Sequence, residues 1–463
     1  MSRDLNALFR PKSVAVLGAS AHPEKMGHIV LKNLSGGKFR LYPVNPKDTE
    51  ILGVPCYQTI DAIPGEVDLA VVALPASASE EGVRACAAKG VKVVIVASSG
   101  FKESGPEGKR LEEGLLSAVA GTGTRILGPN TMGVFVPSIG LDTLLIPRER
   151  SKRPRKGSVA MISQSGAVSV AFLEKARASG LGISACVGLG NKCDISENDV
   201  LDHLATDRRT RSIGLYLESF SCGSEFVQSA RQLTRKKPLV VLKSGATESG
   251  MSAASSHTGA LAASDPVVEG VFRQCGIVRA YDEEELLDST KALAMLDHIR
   301  GDKICVVASA GGFGVIASDY VESKEHGAGL RMTKLSQRTI DGIRAVAPGF
   351  SSLGNPVDLT AGVTDEMYDQ VLGIIGEDTS VDCIMMSLEL QPPNITRRLI
   401  EIAKARSGSG KTPLVVSVFA GPRTDAVIRE LARANVPAYP NIWRTVRAMR
   451  ALYLRGRYLD RPE

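Results

Sequence analysis

Several things are scarce in this 463-residue chain, and each scarcity removes a class of function. The eight cysteines form no CxxC pair, and most sit inside apolar runs such as KICVVAS and VDCIMMS. That excludes a thiolate metal site or a dithiol redox centre and predicts buried thiols in a reducing compartment. No run approaches 18 uninterrupted apolar residues, and the N-terminal MSRDLNALFRPKSVAVLG lacks an apolar block ending in a cleavage site. No membrane partner is therefore expected, and a cytoplasmic location is. Aromatics make up 5% of the chain, and lysines and arginines are interspersed with acids rather than set beside aromatic rings. The net charge of +6 thus predicts attraction for a phosphorylated ligand, with no nucleic-acid partner. GxGxxG and Walker A sequences are absent, and no acid cluster has the spacing of a magnesium site, so no metal ligands are assigned.

What the chain has in quantity is glycine, 46 residues, together with Val, Ile, Leu and Ala, the composition of parallel sheets with glycine-cornered loops. An α/β fold of roughly three units is expected at this length. The first, 1–147, opens with a strand (SVAVLG), a turn, a helical stretch to about Leu34 and a second strand (RLYPVN). The runs DLAVVALP, VKVVIVASSG and RILGPN extend it into a doubly wound parallel sheet. The basic stretch PRERSKRPRKG (147–157) is expected to be an exposed linker. A second segment runs from GSVAMISQSGA through RSIGLYLE and KPLVVLKSG to about residue 300. A third, 301–463, holds DKICVVASAGGFG, VDCIMMSLEL and PLVVSVFAG. Each of the last two opens with a strand, a turn of Ser and Gly, and a helix, which predicts two anion sites.

The first strand ends at VAVLGAS, where an open α/β sheet binds phosphate through backbone N–H groups. After Gly18 come Ala19, Ser20, Ala21 and His22, and glycine returns only at Gly27. The second strand ends in Val44, Asn45, Pro46 and Lys47, where a nicotinamide site needs an acid for the ribose. A lysine there prefers phosphate, so a nicotinamide-dependent oxidoreductase is disfavoured.

Of the six histidines, His257 stands out, set among small and hydroxyl residues in SSHTGA. Taken alone it is open to reading as a surface residue, a core residue, a metal ligand or a catalytic group. No partner at ligand spacing lies near, and SQSGA lacks the first glycine of a GxSxG nucleophile elbow. A covalent role remains, because a neutral imidazole nitrogen is a good nucleophile towards phosphorus. That role needs an acceptor for the other ring nitrogen, and Glu218 ends the apolar strand IGLYLE, where α/β folds present functional side chains. It also needs a phosphate cradle. SQSGA (Ser163, Ser165, Gly166) and SAGGFG (Gly311, Gly312, Gly314) each place backbone N–H groups at a helix N-terminus, and two facing half-sites are expected.

With those elements in order, the chain resembles the nucleoside-diphosphate-forming acyl-CoA synthetases, most of all the α subunits of the ADP-forming acetyl-CoA synthetases and more distantly that of succinyl-CoA synthetase. The likeness runs through ALFRPKSVAVLGAS, YPVNPK, ILGVPCY, GEVDLAVVALPA, SSGFKE, ILGPN, ISQSGA, LGNKCDI, GLYLES, VVLKSG, SSHTGALA, AGGFGV and NPVDLT. It implies a Rossmann-like coenzyme A-binding domain, 1–147, followed by two flavodoxin-like, succinyl-CoA-synthetase-like domains, 157–300 and 301–463. It further implies that His257 is phosphorylated, that Glu218 supports it, and that the two Ser/Gly openings hold phosphate. Coenzyme A is then expected against Gly18, Ala19, Ser20, Ala21, Lys47, Ala97, Ser98, Ser99 and Asn130. The implied steps are attack of phosphate on an acyl-CoA, transfer of the phosphoryl group from the acyl phosphate to His257, and transfer onward to ADP.

Two departures are visible. Thr131 and Met132 follow ILGPN where the family has cysteine, and Phe313 stands in AGGFG where the family has AGGPG. Phe313 is expected beside the acyl group, so the resemblance does not specify acetate as the small carboxylic acid. The family also needs an ATP-grasp unit for ATP, ADP and magnesium that these residues do not supply. A separate ATP-grasp β subunit in a hetero-oligomer is therefore expected. The alternative expectation is a non-catalytic coenzyme A or acyl-CoA sensor of the same fold.

Overall fold

Runs of Val and Ile too apolar to alternate are strands covered on both faces. In the computed structural model, which describes residues 4–258, 264–324, 327–409 and 411–461 and only the backbone of 254–258 and 409, those runs build three main sheets. The chain forms two compact units, Met1–Arg177 with Gly182–Glu283, and Ala178–Leu181 with Glu284–Glu463.

The first unit holds two of these main sheets. In the first, β1 (Ser13–Leu17), β2 (Arg40–Val44), β3 (Leu69–Val72), β4 (Val93–Val96) and β5 (Arg125–Leu127) lie in the order β2-β1-β3-β4-β5, all parallel. The order reverses at β1 and β3, which opens a crevice at their C-terminal ends, the place where such sheets take ligands.

The second sheet comprises β6 (Val134–Val136), β7 (Leu141–Asp142), β8 (Lys156–Ser163), β9 (Ile183–Gly188), β10 (Ser212–Leu217), β11 (Leu239–Lys243) and β12 (Val278–Ala280). Its order is β12-β11-β10-β8-β9-β6-β7. The five strands from β12 to β9 are parallel, and β6 and β7 add an antiparallel hairpin at the edge. The hairpin therefore differs from its expected place within 1–147, since it pairs onto the second sheet. The stretch 147–157 is exposed over most of its length, as expected, and is tied to the edge hairpin through two arginines. Asp142 is fully buried and takes the guanidinium groups of Arg148 (2.9 Å) and Arg153 (3.0 Å), whose side chain is itself 8% exposed. One apolar cluster runs under both sheets, from Val14 and Val16 to Ile162 and Leu215.

The second unit is built on β13 (Lys303–Ala308), β14 (Arg331–Met332), β15 (Val357–Asp358), β16 (Cys383–Glu389), β17 (Leu414–Phe419) and β18 (Ala438–Tyr439). The order is β14-β13-β16-β17-β18, with β15 also paired to β13, all parallel. Helices Glu283–Leu296 and Ile442–Leu459 are tied together by Arg444, which donates to Asp288 at 2.6 and 2.9 Å. No helix among the described residues is long and apolar enough to cross a membrane.

Candidate functional site

Gly18 follows β1 with φ +79°, and a Cβ there would lie 2.6 Å from the Ala73 carbonyl oxygen after β3. The helix begins only at Met26, and a Cβ on Gly27 would meet the Gly18 carbonyl at 2.0 Å. Two glycines thus let the helix press against the turn, although the dinucleotide spacing is absent. The backbone of Ala19 is held from β2, because the Asn45 amide donates to its carbonyl at 2.7 Å, and the Lys47 N–H donates to Asn45 at 2.8 Å. The Lys47 side chain is left exposed. His28 Nδ1 pairs with the Ser20 carbonyl at 2.9 Å. After β4, Ala97 and Ser98 are buried and Ser99 is exposed, and the Ser98 hydroxyl donates to the Leu74 carbonyl. Asn130, left-handed at φ +57°, donates its N–H to the Ser98 carbonyl at 2.8 Å. The residues expected to hold coenzyme A thus stand in the loops after the C-terminal ends of β1, β2, β4 and β5.

Glu218 follows β10, as expected, and is 7% exposed. It lines a cavity of about 260 Å³ together with Lys102, Asn130, Gln164, Asn191 and Lys192. Gln164, in the turn after β8, accepts the N–H groups of Glu218 (3.0 Å) and Ser219 (3.1 Å) on one oxygen. The Tyr216 hydroxyl donates to a Glu218 carboxylate oxygen at 3.4 Å. Lys192, whose side chain is 4% exposed, donates to the Ser219 carbonyl at 2.7 Å and to Glu197 at 3.0 Å. Burial pushes the Lys192 ammonium below its ordinary pKa, while the charge of Glu197 opposes the shift. Lys102 donates to the Asn191 carbonyl at 2.6 Å and pairs with Glu112 at 3.1 Å. Asn191 in turn donates to Glu103 (2.6 Å) and Glu112 (2.8 Å).

Lys102, Gln164, Asn191 and Lys192 have no role in the sequence-based expectation. The available signal was a lysine and an asparagine in the turn LGNKCDI directly after a wholly buried strand.

The two Ser/Gly openings fall in different units. In the first, Ser163 is buried, its hydroxyl donates to the Ser165 carbonyl at 2.7 Å, and the helix starts at Gly166. A Cβ on Gly166 would lie 2.4 Å from Met132, so the methionine that departs from the family pattern packs against this opening. In the second, the helix Gly311–Glu322 follows β13, Gly312 faces open space, and a Cβ on Gly314 would meet Pro356 at 3.1 Å. Gly311 faces a carboxylate, with Asp358 Oδ2 2.7 Å from where its Cβ would stand. Phe313 stacks on Phe419 with ring centroids 4.0 Å apart. Nearby, Glu389 is buried and accepts the hydroxyls of Ser387 (2.6 Å) and Ser309, and burial raises its pKa.

The helix Glu248–Thr258 carries His257 and runs beside the turn Lys102–Ser104 that borders the cavity. The His257 side chain lies outside the described residues. Among those residues no group of three His, Cys, Asp or Glu could hold a metal ion.

Three family models match in succession: a CoA binding domain at 12–137, a succinyl-CoA ligase like flavodoxin domain at 156–293 and a ligase-CoA domain at 304–458. The α subunit of acetate–CoA ligase (ADP-forming) I from Pyrococcus furiosus is 37% identical, over 97% of this chain and 97% of that protein. Acetate–CoA ligase (ADP-forming) I from Archaeoglobus fulgidus is 36% identical, over 98% of this chain but 64% of its own length. Dinucleotide forming acetyl-coenzyme A synthetase 1 from Ca. Korarchaeum cryptofilum, solved in complex with phosphate and ADP, superposes with a TM-score of 0.91 at 33% identity. That match covers 99% of this chain and 98% of the solved one. With full-length likeness in sequence and in fold, the chain belongs to the ADP-forming acyl-CoA ligases and corresponds in extent to their α subunit.

Proposed function

We propose that this chain is the coenzyme A-binding, histidine-phosphorylated subunit of an ADP-forming acyl-CoA synthetase. It acts with a separate ATP-grasp subunit that binds ATP, ADP and magnesium, in the cytoplasm. The observation that carries the chemical part is the fixed Glu218, held through its backbone by Gln164 in the wall of a cavity it shares with Lys102, Asn191 and Lys192. The family membership of the whole chain supports the rest.

Coenzyme A is a substrate here, and the turn at Gly18 to Ala21, the loop Ala97 to Ser99, Lys47 and Asn130 are assigned to it. The glycine cradle fits that role, since a side chain at Gly18 would fill the space next to Ala73 that the backbone needs. His257 takes the phosphoryl group from an acyl phosphate. A P–N bond forms at one ring nitrogen as the P–O bond to the acyl oxygen breaks, and the carboxylate leaves with the electron pair. Glu218 accepts the N–H of the other ring nitrogen, which sets the tautomer and stabilises the ring as it gains positive charge. The Ser163–Gly166 opening and the Gly311–Gly314 opening are assigned to phosphate, each through helix N-terminal N–H groups. At the second, Gly312 is the open position, whereas Asp358 already occupies the side facing Gly311. Phe313 on Phe419 borders the acyl group of a small carboxylic acid.

Incubation with acyl-CoA and labelled phosphate tests the proposal. Glu218→Gln is expected to slow labelling of the chain by about 100-fold with coenzyme A affinity retained. Labelling of that variant at the wild-type rate removes Glu218 from the reaction.

A further inference from the structure

The segment from Glu218 to Ser221 is pinned from three sides. Gln164 holds the N–H groups of Glu218 and Ser219, and Lys192 holds the Ser219 carbonyl. Glu197, fully buried, takes the Ser221 N–H (2.6 Å) and hydroxyl (2.9 Å) while pairing with Lys192. Ser219, the residue after the carboxylate, thus has its N–H and its carbonyl both fixed by side chains distant in sequence.

Lys192 carries two unfavourable features that packing alone does not require. Its ion pair with Glu197 is 4% and 0% exposed, and such a pair gives up hydration that apolar residues of the same size would not need to lose. Its backbone has φ +59°, a region that costs a residue with a Cβ. Both are concentrated at the cavity wall beside Glu218.

We propose that Lys192 is a positioning residue for Glu218. It fixes the Ser219 carbonyl and, with it, the backbone that presents the carboxylate. This rests on the reading of Glu218 given above. Among the described residues, charged and titratable groups around the pair include Glu197 on the helix Glu197–Thr206, Lys102 with its partner Glu112, Tyr216 on β10 and Lys243 on β11. Lys243, also buried, stands opposite Leu217 in the β10–β11 register and donates its ammonium to the Ser244 carbonyl at 2.5 Å.

The test is a double-mutant cycle on the full chain, reading the rate of labelling from acyl-CoA and labelled phosphate alongside coenzyme A affinity. Lys192→Met is expected to slow labelling by about 10- to 100-fold, with affinity changed by less than about twofold. In a Glu218→Gln background the same substitution should slow labelling by less than about twofold more, since both changes act through one carboxylate. Losses that multiply, or a Lys192→Met chain whose coenzyme A affinity falls in step with its rate, overturn the proposal. If Lys192→Met does not fold, Glu197→Gln replaces it in the cycle. That variant keeps an acceptor for Ser221 and removes the counter-charge, and the same lack of additivity is expected. A wild-type chain that takes no label overturns the reading of Glu218 as well, whereas a labelled wild type with multiplying losses overturns Lys192 alone.

Discussion

The Gln164 side-chain oxygen accepts the Glu218 N–H at 3.0 Å, joining the turn that opens a helix at Gly166 to the strand end that presents the carboxylate. The two residues are far apart in sequence and adjacent in the sheet because β8 and β10 are parallel neighbours. Gln164→Leu leaves two N–H groups without this acceptor, at a cost of about 1–3 kcal/mol each. The expected outcome is slower labelling with intact coenzyme A binding, read in the same assay. Unchanged labelling contradicts a positioning role for Gln164.

Central parallel strands such as β1, β4 and β17 were legible because they are Val-rich apolar runs, and β1 is buried at all five positions as that pattern requires. Glu218 was legible because it ends an apolar run. Lys192 was not. A lysine in LGNKCDI carries no local mark of burial, and its partners Glu197 and Ser219 meet it only through the folding of the β9 and β10 ends. The charge of 147–157 reads as solvated, and most of the stretch is, but nothing local marked Arg153 as the largely buried partner of Asp142 in the edge hairpin.

Asp142 is accordingly a stability determinant. Asp142→Ala leaves the largely buried Arg153 without its carboxylate, and breaking a buried pair from one side costs about 3–5 kcal/mol. Urea unfolding of the first unit should show the loss. A midpoint equal to wild type would mean that the arginines turn out to solvent without cost.

Lys291 gives the second unit a pH dependence. Its ammonium is buried, donates to the Ala438 carbonyl at 2.7 Å and lies 4.9 Å from the Tyr439 ring centroid. Burial pushes its pKa from 10.5 down to about 8, against the opposing charge of Asp288. Between about 8 and 10.5 the unfolded chain keeps a proton that the folded unit has released. Stability from this group therefore rises with pH through that window. The urea midpoint of wild type should climb relative to Lys291→Met across it, and parallel curves contradict the assignment. Tyr439, which burial holds well above its ordinary value, is common to both proteins and cancels in the comparison.

The most direct measurement is the fate of the phosphoryl group on His257. The wild-type chain, given acyl-CoA and labelled phosphate, or labelled ATP with its ATP-grasp partner, is predicted to acquire an acid-labile, alkali-stable label that maps to the peptide containing residues 255–260. His257→Ala is predicted to acquire none. A label that persists in His257→Ala, or a wild type that makes acyl-CoA without passing through it, contradicts the phosphohistidine route.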